Sequence, residues 1–486
     1  PSSIVDGARP AADGLTKLGS ALSKCCSLTF SFDKEFAMMS ALRLKLNPFR
    51  EHPNGLSTLF FTEMWERFSF YGMKTILVLF MVADKSVGGM GLPLDKAALI
   101  FGLYGSAVYL MAMPGGFIGD RLLGAWNAVF LGGIVIAVGH FVMLFNGSAS
   151  FYSALVLIVL GTGLLKPNIT RLVGGLYGKN DQRSESGFAL YYMGINYGAT
   201  LAPIVCGGLA QTQVVRDLLT GMGLDPNLCW HLGFASAGLG MLVGVIWFYL
   251  HRQRFQHLSL HEEEKNLGAD GDELKRIFVI AILFFFSAMF WSVYEQGGAS
   301  LNVFALAHVR SEFFGWSFPS TWFQSFQAVF VLILTPVFAR IWLQLARANR
   351  EPSSLIKFSL GLLFLGLGIG VAALGVTFAA AGKISPFWLV FAFFLEVAGE
   401  MMFSPVGLRT VDQLAPRRFA GLTLGIWFLS VSAGNFLAGY FSSLYSQENM
   451  MHNALLYGKM ALALLAASAL LALISPRLRK FMGAVR

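Results

Sequence analysis

Apolar runs longer than the roughly 18 residues needed to cross a hydrocarbon layer recur from one end of this chain to the other. With no water inside a bilayer to satisfy backbone N–H and C=O groups, such runs form helices that pair those groups internally. Composition agrees: 55% of the 486 residues are hydrophobic and 13% charged, with a mean hydropathy of +0.62, far from a soluble globular average. Twelve spans are read, at 56–83, 97–119, 126–146, 150–174, 187–210, 230–250, 277–307, 319–345, 355–380, 386–411, 417–444 and 453–474. The expected fold class is therefore an all-α integral membrane protein that crosses the bilayer many times.

Orientation follows from Lys and Arg, which are retained on the cytoplasmic side. Arg43/Lys45/Arg50, Arg171/Lys179/Arg183, Arg252/Arg254/Lys275/Arg276, Arg347/Arg350, Arg417/Arg418 and Arg477/Arg479/Lys480 all fall on the side of the amino terminus. Both termini are expected in the cytoplasm, and the formal charge of +9 is mainly a topology signal. Basic residues spread over loops do not form the single patch that nucleic acid requires, so no nucleic-acid partner is expected. Residues 1–48 hold no sustained apolar core, and no cleavable signal peptide is expected there. Four cysteines make no disulfide framework. Cys206 and Cys229 flank one outward loop and could meet, although free Cys is also a common core residue. Asn146-Gly-Ser and Asn168-Ile-Thr match the glycosylation pattern, the second inside a span.

The longest charged stretch, 251–276, divides the spans six and six. The expected division is a cytoplasmic tail (1–50), a six-helix bundle (51–250), a cytoplasmic linker (251–276), a second six-helix bundle (277–475) and a short cytoplasmic tail (476–486). A rocking carrier uses such an arrangement, with its substrate site at mid-membrane between the halves.

The first span carries charges that ought not to face lipid. At about 100° per residue, Glu63, Arg67, Phe70, Tyr71 and Lys74 fall on one stripe with Glu66 at its edge. One charge at mid-bilayer costs at least about 2.5 to 3.5 kcal/mol, so four on one helix imply a wet cavity lined by protein. Lys166 in span four, Glu295 in span seven, and Glu396 and Glu400 one turn apart in span ten complete a set of five carboxylates against three cations. Each pair taken singly reads as a structural lock. Eight such residues on four helices read as a pathway for protons, because the excess acids exchange protons as cations approach and withdraw. All three cations precede the linker, whereas Glu295 and Glu400 follow it. A zwitterion, with a carboxylate at one end and an ammonium at the other, would bridge the halves. Tyr71, Tyr109, Tyr192, Asn196, Trp291, Gln327, Ser404 and Trp427 supply hydrogen-bonding and stacking groups nearby, or ordinary packing. No catalytic residue, metal site or cofactor is expected.

The stretch Gly116-Phe-Ile-Gly-Asp120-Arg121-Leu-Leu-Gly124 resembles the cytoplasmic motif of the major facilitator superfamily, in which Asp120 and Arg121 would bind neighbouring helix ends. Further motifs are more specific: Glu63-x-x-Glu66-Arg67-Phe68-x-x-Tyr71-Gly72, Lys166-Pro167-Asn168, Tyr191-Tyr192-Met193-Gly194-Ile195-Asn196-x-Gly198, Phe290-Trp291-x-x-x-Glu295-Gln296-Gly297 and Gly399-Glu400-x-x-Phe403-Ser404-Pro405-x-Gly407. Together they resemble the proton-dependent oligopeptide transporters (POT/PTR), a branch of that superfamily. The resemblance implies the major facilitator fold and proton-driven import of di- and tripeptides by alternating access, in a multi-pass protein of the bacterial inner membrane working as a monomer. It assigns proton coupling to Glu63, Glu66, Arg67, Lys166 and Glu295. Substrate binding would fall to Arg67, Tyr71, Lys74, Lys166, Asn196, Gln327 and Glu400, and the residues themselves add Tyr109, Trp291, Ser404 and Trp427 as candidates for the same site.

Departures from the family pattern are visible. Phe70 replaces a common Tyr, Lys74 a common Arg, and Gln327-Ala328 a common Asn-Pro pair; Lys cannot make the two-pronged contact of Arg with a carboxylate. The linker is too short for the extra helix pair of many bacterial members. The same scaffold can carry nitrate or other small anions, but a carboxylate at Glu400 together with Glu63 and Glu66 suits a peptide. A membrane enzyme or sensor is the remaining alternative. The chain lacks His-Glu-x-x-His, a Gly-x-Ser-x-Gly elbow and a phosphate-cradling loop, which also excludes a self-contained ATP-driven pump.

Overall fold

The computed structural model describes residues 48–145, 147–178, 181, 183–255, 273–313, 315–414 and 420–482. Most of the linker, the paired Cys25 and Cys26, and Arg417/Arg418 lie outside them. From Asn54 onward the chain forms one compact unit, nearly all of it helical: α1 (Gly55–Val82), α2 (Leu94–Leu110), α3 (Ala112–Ile118), α4 (Ala125–Val142), α5 (Ser148–Gly175), α6 (Ser184–Ala202), α7 (Gly208–Gln211), α8 (Gln213–Gly221), α9 (Cys229–Leu250), α10 (Glu273–Tyr294), α11 (Ser300–His308), α12 (Phe323–Arg347), α13 (Ser354–Ala379), α14 (Phe387–Leu414), α15 (Ala420–Ser443) and α16 (Met450–Met482). The one sheet among the described residues is a two-stranded antiparallel pair, β1 (Glu312–Phe313) with β2 (Trp316–Ser317).

Ten helical segments among the described residues are long and apolar enough to cross a membrane. Helix α1 is long enough at 28 residues but carries Glu63, Glu66, Arg67 and Lys74. Three expected spans are discontinuous. The second continues from α2 through α3 into a wide π-turn at Gly119–Leu123, and the fifth passes from α6 through a second π-turn at Pro203–Gly207 into α7. The seventh breaks after α10 into a 3₁₀ turn at Glu295–Gly298, bends at Ala299 and resumes as α11.

Small residues set how closely the helices approach. A Cβ at Gly115 would collide with the carbonyl oxygen of Gly163, and one at Gly119 with the Asn168 amide, so α3 lies directly on α5. The same amide donates to the Gly115 carbonyl at 3.1 Å and the Leu164 carbonyl at 2.7 Å. A buried Asn168 in mid-helix is no glycan acceptor. Gly198 packs on the backbone of α1 at Met64, bringing α6 against the charged helix.

Two seams join helices before the linker to helices after it. On one, Gly102 of α2 meets Gly439 of α15, and Ser432 Oγ donates to the Ser106 carbonyl at 2.9 Å. On the other, Ser325 Oγ of α12 donates to the Thr200 carbonyl of α6 at 2.9 Å. Cys206 and Cys229 are buried free thiols and do not meet in a disulfide.

Candidate functional site

Helix α1 holds its charges inward. Glu63, Glu66, Arg67 and Lys74 are all buried. Arg67 makes a two-pronged contact with Glu66, its Nη2 lying 2.6 Å from Oε1 and its Nε meeting Oε2. Glu63 stands 3.5 Å from the same guanidinium, which also lies 4.7 Å from the centre of the Phe70 ring. From α6, Tyr191 lies close to Glu63. One guanidinium thus serves two carboxylates at helical spacing, and two helical turns after Arg67 comes Lys74.

Lys74 reaches across the seam. Its Nζ lies 2.5 Å from Oε2 of Glu295, with the Phe101 ring centre 5.3 Å away. The helix break after Tyr294 positions this partner, because Glu295 opens the 3₁₀ turn. Lys166, on α5 just before Pro167, makes no ion pair among the described residues. Its ammonium sits 4.5 Å from the centre of the Tyr109 ring. Glu400 on α14 is likewise without a cation; its Oε2 accepts from the Tyr294 hydroxyl at 2.6 Å.

These groups surround one cavity of about 280 Å³. It is lined by Glu63, Arg67, Tyr71, Lys74, Tyr109, Lys166, Tyr192, Asn196, Trp291, Glu295, Gln327, Glu400, Ser404 and Trp427, with Thr75, Tyr294, Gln324 and Phe428 among others. That volume is near the lower bound of small-molecule sites, about 300 Å³, and so suits a small solute. With Arg67 held by Glu66 and Glu63 and Lys74 by Glu295, Lys166 and Glu400 remain as the two ionisable groups on the cavity wall without an ion pair among the described residues. They come from helices on either side of the linker.

Glu66 is not a wall residue; it lies behind Arg67. Asp120 and Arg121 are outside the cavity altogether. Asp120 forms an ion pair with Arg171 near the end of α5, and Arg121 is exposed. Tyr294, Thr75 and Gln324 were not singled out by sequence. Tyr294 had a signal in its place beside Glu295, but Thr75 and Gln324 had none.

Such a site, buried among membrane helices and lined by both signs of charge, belongs to a carrier of small polar solutes. The sequence model of the POT family matches residues 126–268 and 261–457, and the chain belongs to that family of transporters. An uncharacterized transporter of Bacillus subtilis, YclF, is 34% identical over 491 residues, covering 89% of this chain and 96% of its own. The peptide transporter YePEPT of Yersinia enterocolitica is also 34% identical with the same coverage. A di-/tripeptide transporter of Lactococcus lactis is 31% identical, covering 89% of this chain and 97% of its own. Among solved structures, a peptide transporter POT in complex with sulfate superposes with a TM-score of 0.80 at 34% identity, over 89% of this chain and 96% of that one. A POT family transporter in complex with 5-aminolevulinic acid superposes with a TM-score of 0.78 at 26% identity, over 88% and 98%.

Proposed function

We propose that this protein is a proton-coupled symporter that imports di- and tripeptides across a bacterial inner membrane. It works as a monomer with twelve spans, the termini in the cytoplasm and bundles 51–250 and 277–475 rocking about the cavity; the basic clusters on one side support that orientation. Relatives named as peptide transporters support the substrate class. The observation that carries the reading is the pair of charges left without ionic partners, Lys166 and Glu400, on opposite sides of the linker and facing one cavity. A zwitterionic peptide completes both, its carboxylate toward Lys166 and Arg67 and its ammonium toward Glu400, with Asn196 and Gln327 holding its backbone. The 5-aminolevulinic acid held by a relative is a small molecule with the same two end groups.

Coupling follows from competition for Arg67. A peptide carboxylate drawn to Arg67 and Lys166 weakens the hold of the guanidinium on Glu66 and Glu63, and a carboxylate that loses its cation in a buried site takes up a proton. Binding of peptide and proton thereby favour one another. When the peptide leaves, Arg67 returns to Glu66 and displaces that proton. Lys74 with Glu295 links the halves through part of the cycle. No cofactor is required, since the proton gradient supplies the energy.

Dialanine uptake into liposomes holding the purified protein tests this. An inward proton gradient should drive accumulation that collapses with an ionophore. Folded protein that accumulates no peptide but takes up nitrate would overturn the substrate assignment.

A further inference from the structure

Glu396 has no part in the binding or coupling roles above. It lies on α14 one turn before Glu400 and is fully buried. Its Oε2 accepts from Nε2 of Gln327 at 3.2 Å, and its Oε1 has no hydrogen-bond partner. Gln327, on α12, lines the cavity beside Gly297. The surroundings of Glu396 contain no cation among the described residues. On its own helix the titratable neighbour is Glu400. Helix α10 presents Tyr294, whose hydroxyl is committed to Glu400. Helix α16 presents Tyr457, whose hydroxyl donates to Ser300 at 2.8 Å. Helix α13 offers Gly368, where even a Cβ would touch the Glu396 side chain, and α12 offers Gln327 itself.

An ionised carboxylate has acceptors only, so it can hold the amide of Gln327 only by its nitrogen. The amide oxygen then remains available to a donor in the cavity, such as an ammonium or a peptide N–H. A protonated carboxyl gains a donor, and that donor can take the amide oxygen for itself. We propose that Glu396 is a positioning residue for the solute site, setting which end of the Gln327 amide the solute meets, and that a proton on Glu396 competes with solute N–H groups for the Gln327 oxygen. Gln327 stands where the resemblance leads one to expect Asn followed by Pro. The inference rests on the reading of the cavity as a peptide site.

Dialanine counterflow with equal pH on both faces isolates binding and exchange from the driving force. Acidification also loads Glu63 and Glu66, which favours peptide binding, so the effect of Glu396 is read as the ratio of wild-type KM to variant KM. Against Glu396→Gln, of nearly the same size and unable to titrate, that ratio should rise several-fold from neutral to acidic pH, a change in KM beyond any change in kcat. Gln327→Leu removes the same hydrogen bond from the other side, and against it the ratio should show the same dependence on pH. In a Gln327→Leu background, Glu396→Gln should change KM by less than about twofold, since the two residues act as one unit. A ratio that does not change with pH for either single variant, or independent effects in the double variant, would overturn the inference. No counterflow by the wild-type protein would remove the peptide reading and this inference with it.

Discussion

Arg67 and Lys166 face the same cavity under different constraints. Arg67 is matched to Glu66 and close to Glu63, whereas Lys166 lies over the face of Tyr109 and makes no ion pair among the described residues. A buried cation beside two acids can be released from one of them only if something else neutralises it, and that is the opening for a substrate carboxylate. Glu66→Gln keeps the size of the side chain but removes its charge and its ability to release a proton. We expect uphill dialanine accumulation to fall to the level of protein-free liposomes while counterflow persists. Accumulation at the wild-type level would remove Glu66 from coupling. The ionisable set was legible in the sequence because charges in an apolar run are too costly to be incidental. Their partners were not legible. Whether Lys74 meets Glu295, or Gln327 meets Glu396, depends on how each helix is rotated and how closely the two sides of the linker approach, and neither is encoded in local spacing.

At the scale of elements, hydropathy marks where helices run but averages over their interruptions. Glu295-Gln-Gly-Gly sits inside a long apolar run, so the 3₁₀ turn that aims Glu295 at Lys74 was hidden. Helix α8 and the β1–β2 pair were hidden for a different reason: each is too short to impose a clear period. Glycines at crossings were more readable. Gly116 and Gly119 of the 116–124 motif lie where this segment meets α5, whereas Gly124, at φ +76°, serves the turn; Asp120 holds Arg171 there while Arg121 stays exposed. Gly115→Val would push a branched side chain into the Gly163 carbonyl. Overpacking of this kind costs about 1–3 kcal/mol, so the thermal unfolding midpoint in detergent should fall. Gly221→Ala, at a position with open space around it, should leave the midpoint within a degree or two of wild type, roughly the shift expected of a neutral surface change in a chain of this size. An unchanged midpoint for Gly115→Val would show that α3 can move off α5 at little cost.

Across the whole molecule, alternating access demands that some contacts between the two sides of the linker break during each cycle. One cluster is placed to do so. At the far ends of α7 and α12, Thr321 Oγ1 donates to Gln211 Oε1 at 2.9 Å and the Trp322 indole donates to the Ile204 carbonyl at 3.2 Å. Nearer the cavity, Thr75 donates to Gln324 at 3.2 Å and Asn302 to the Thr75 carbonyl at 2.8 Å. These are modest polar contacts, each worth about 0.5 to 1.5 kcal/mol net, which suits a gate that must open and reclose. The Lys74–Glu295 pair lies beneath them. A Cβ at Gly207 would fall 2.7 Å from that of Thr321, closer than the roughly 3.5–4.5 Å of a relaxed disulfide, so Gly207→Cys with Thr321→Cys bridges the closed gate once the backbone there gives by about an ångström. In a background with the four native cysteines replaced by Ser or Ala, oxidation should reduce dialanine uptake at least about tenfold, and a reductant should restore it. Each single-cysteine variant should be insensitive to oxidant. If the oxidised double variant, with its bond verified by mass spectrometry, transports at the reduced rate, then α7 and α12 need not part, and the cavity must open along the Gly102–Gly439 seam instead.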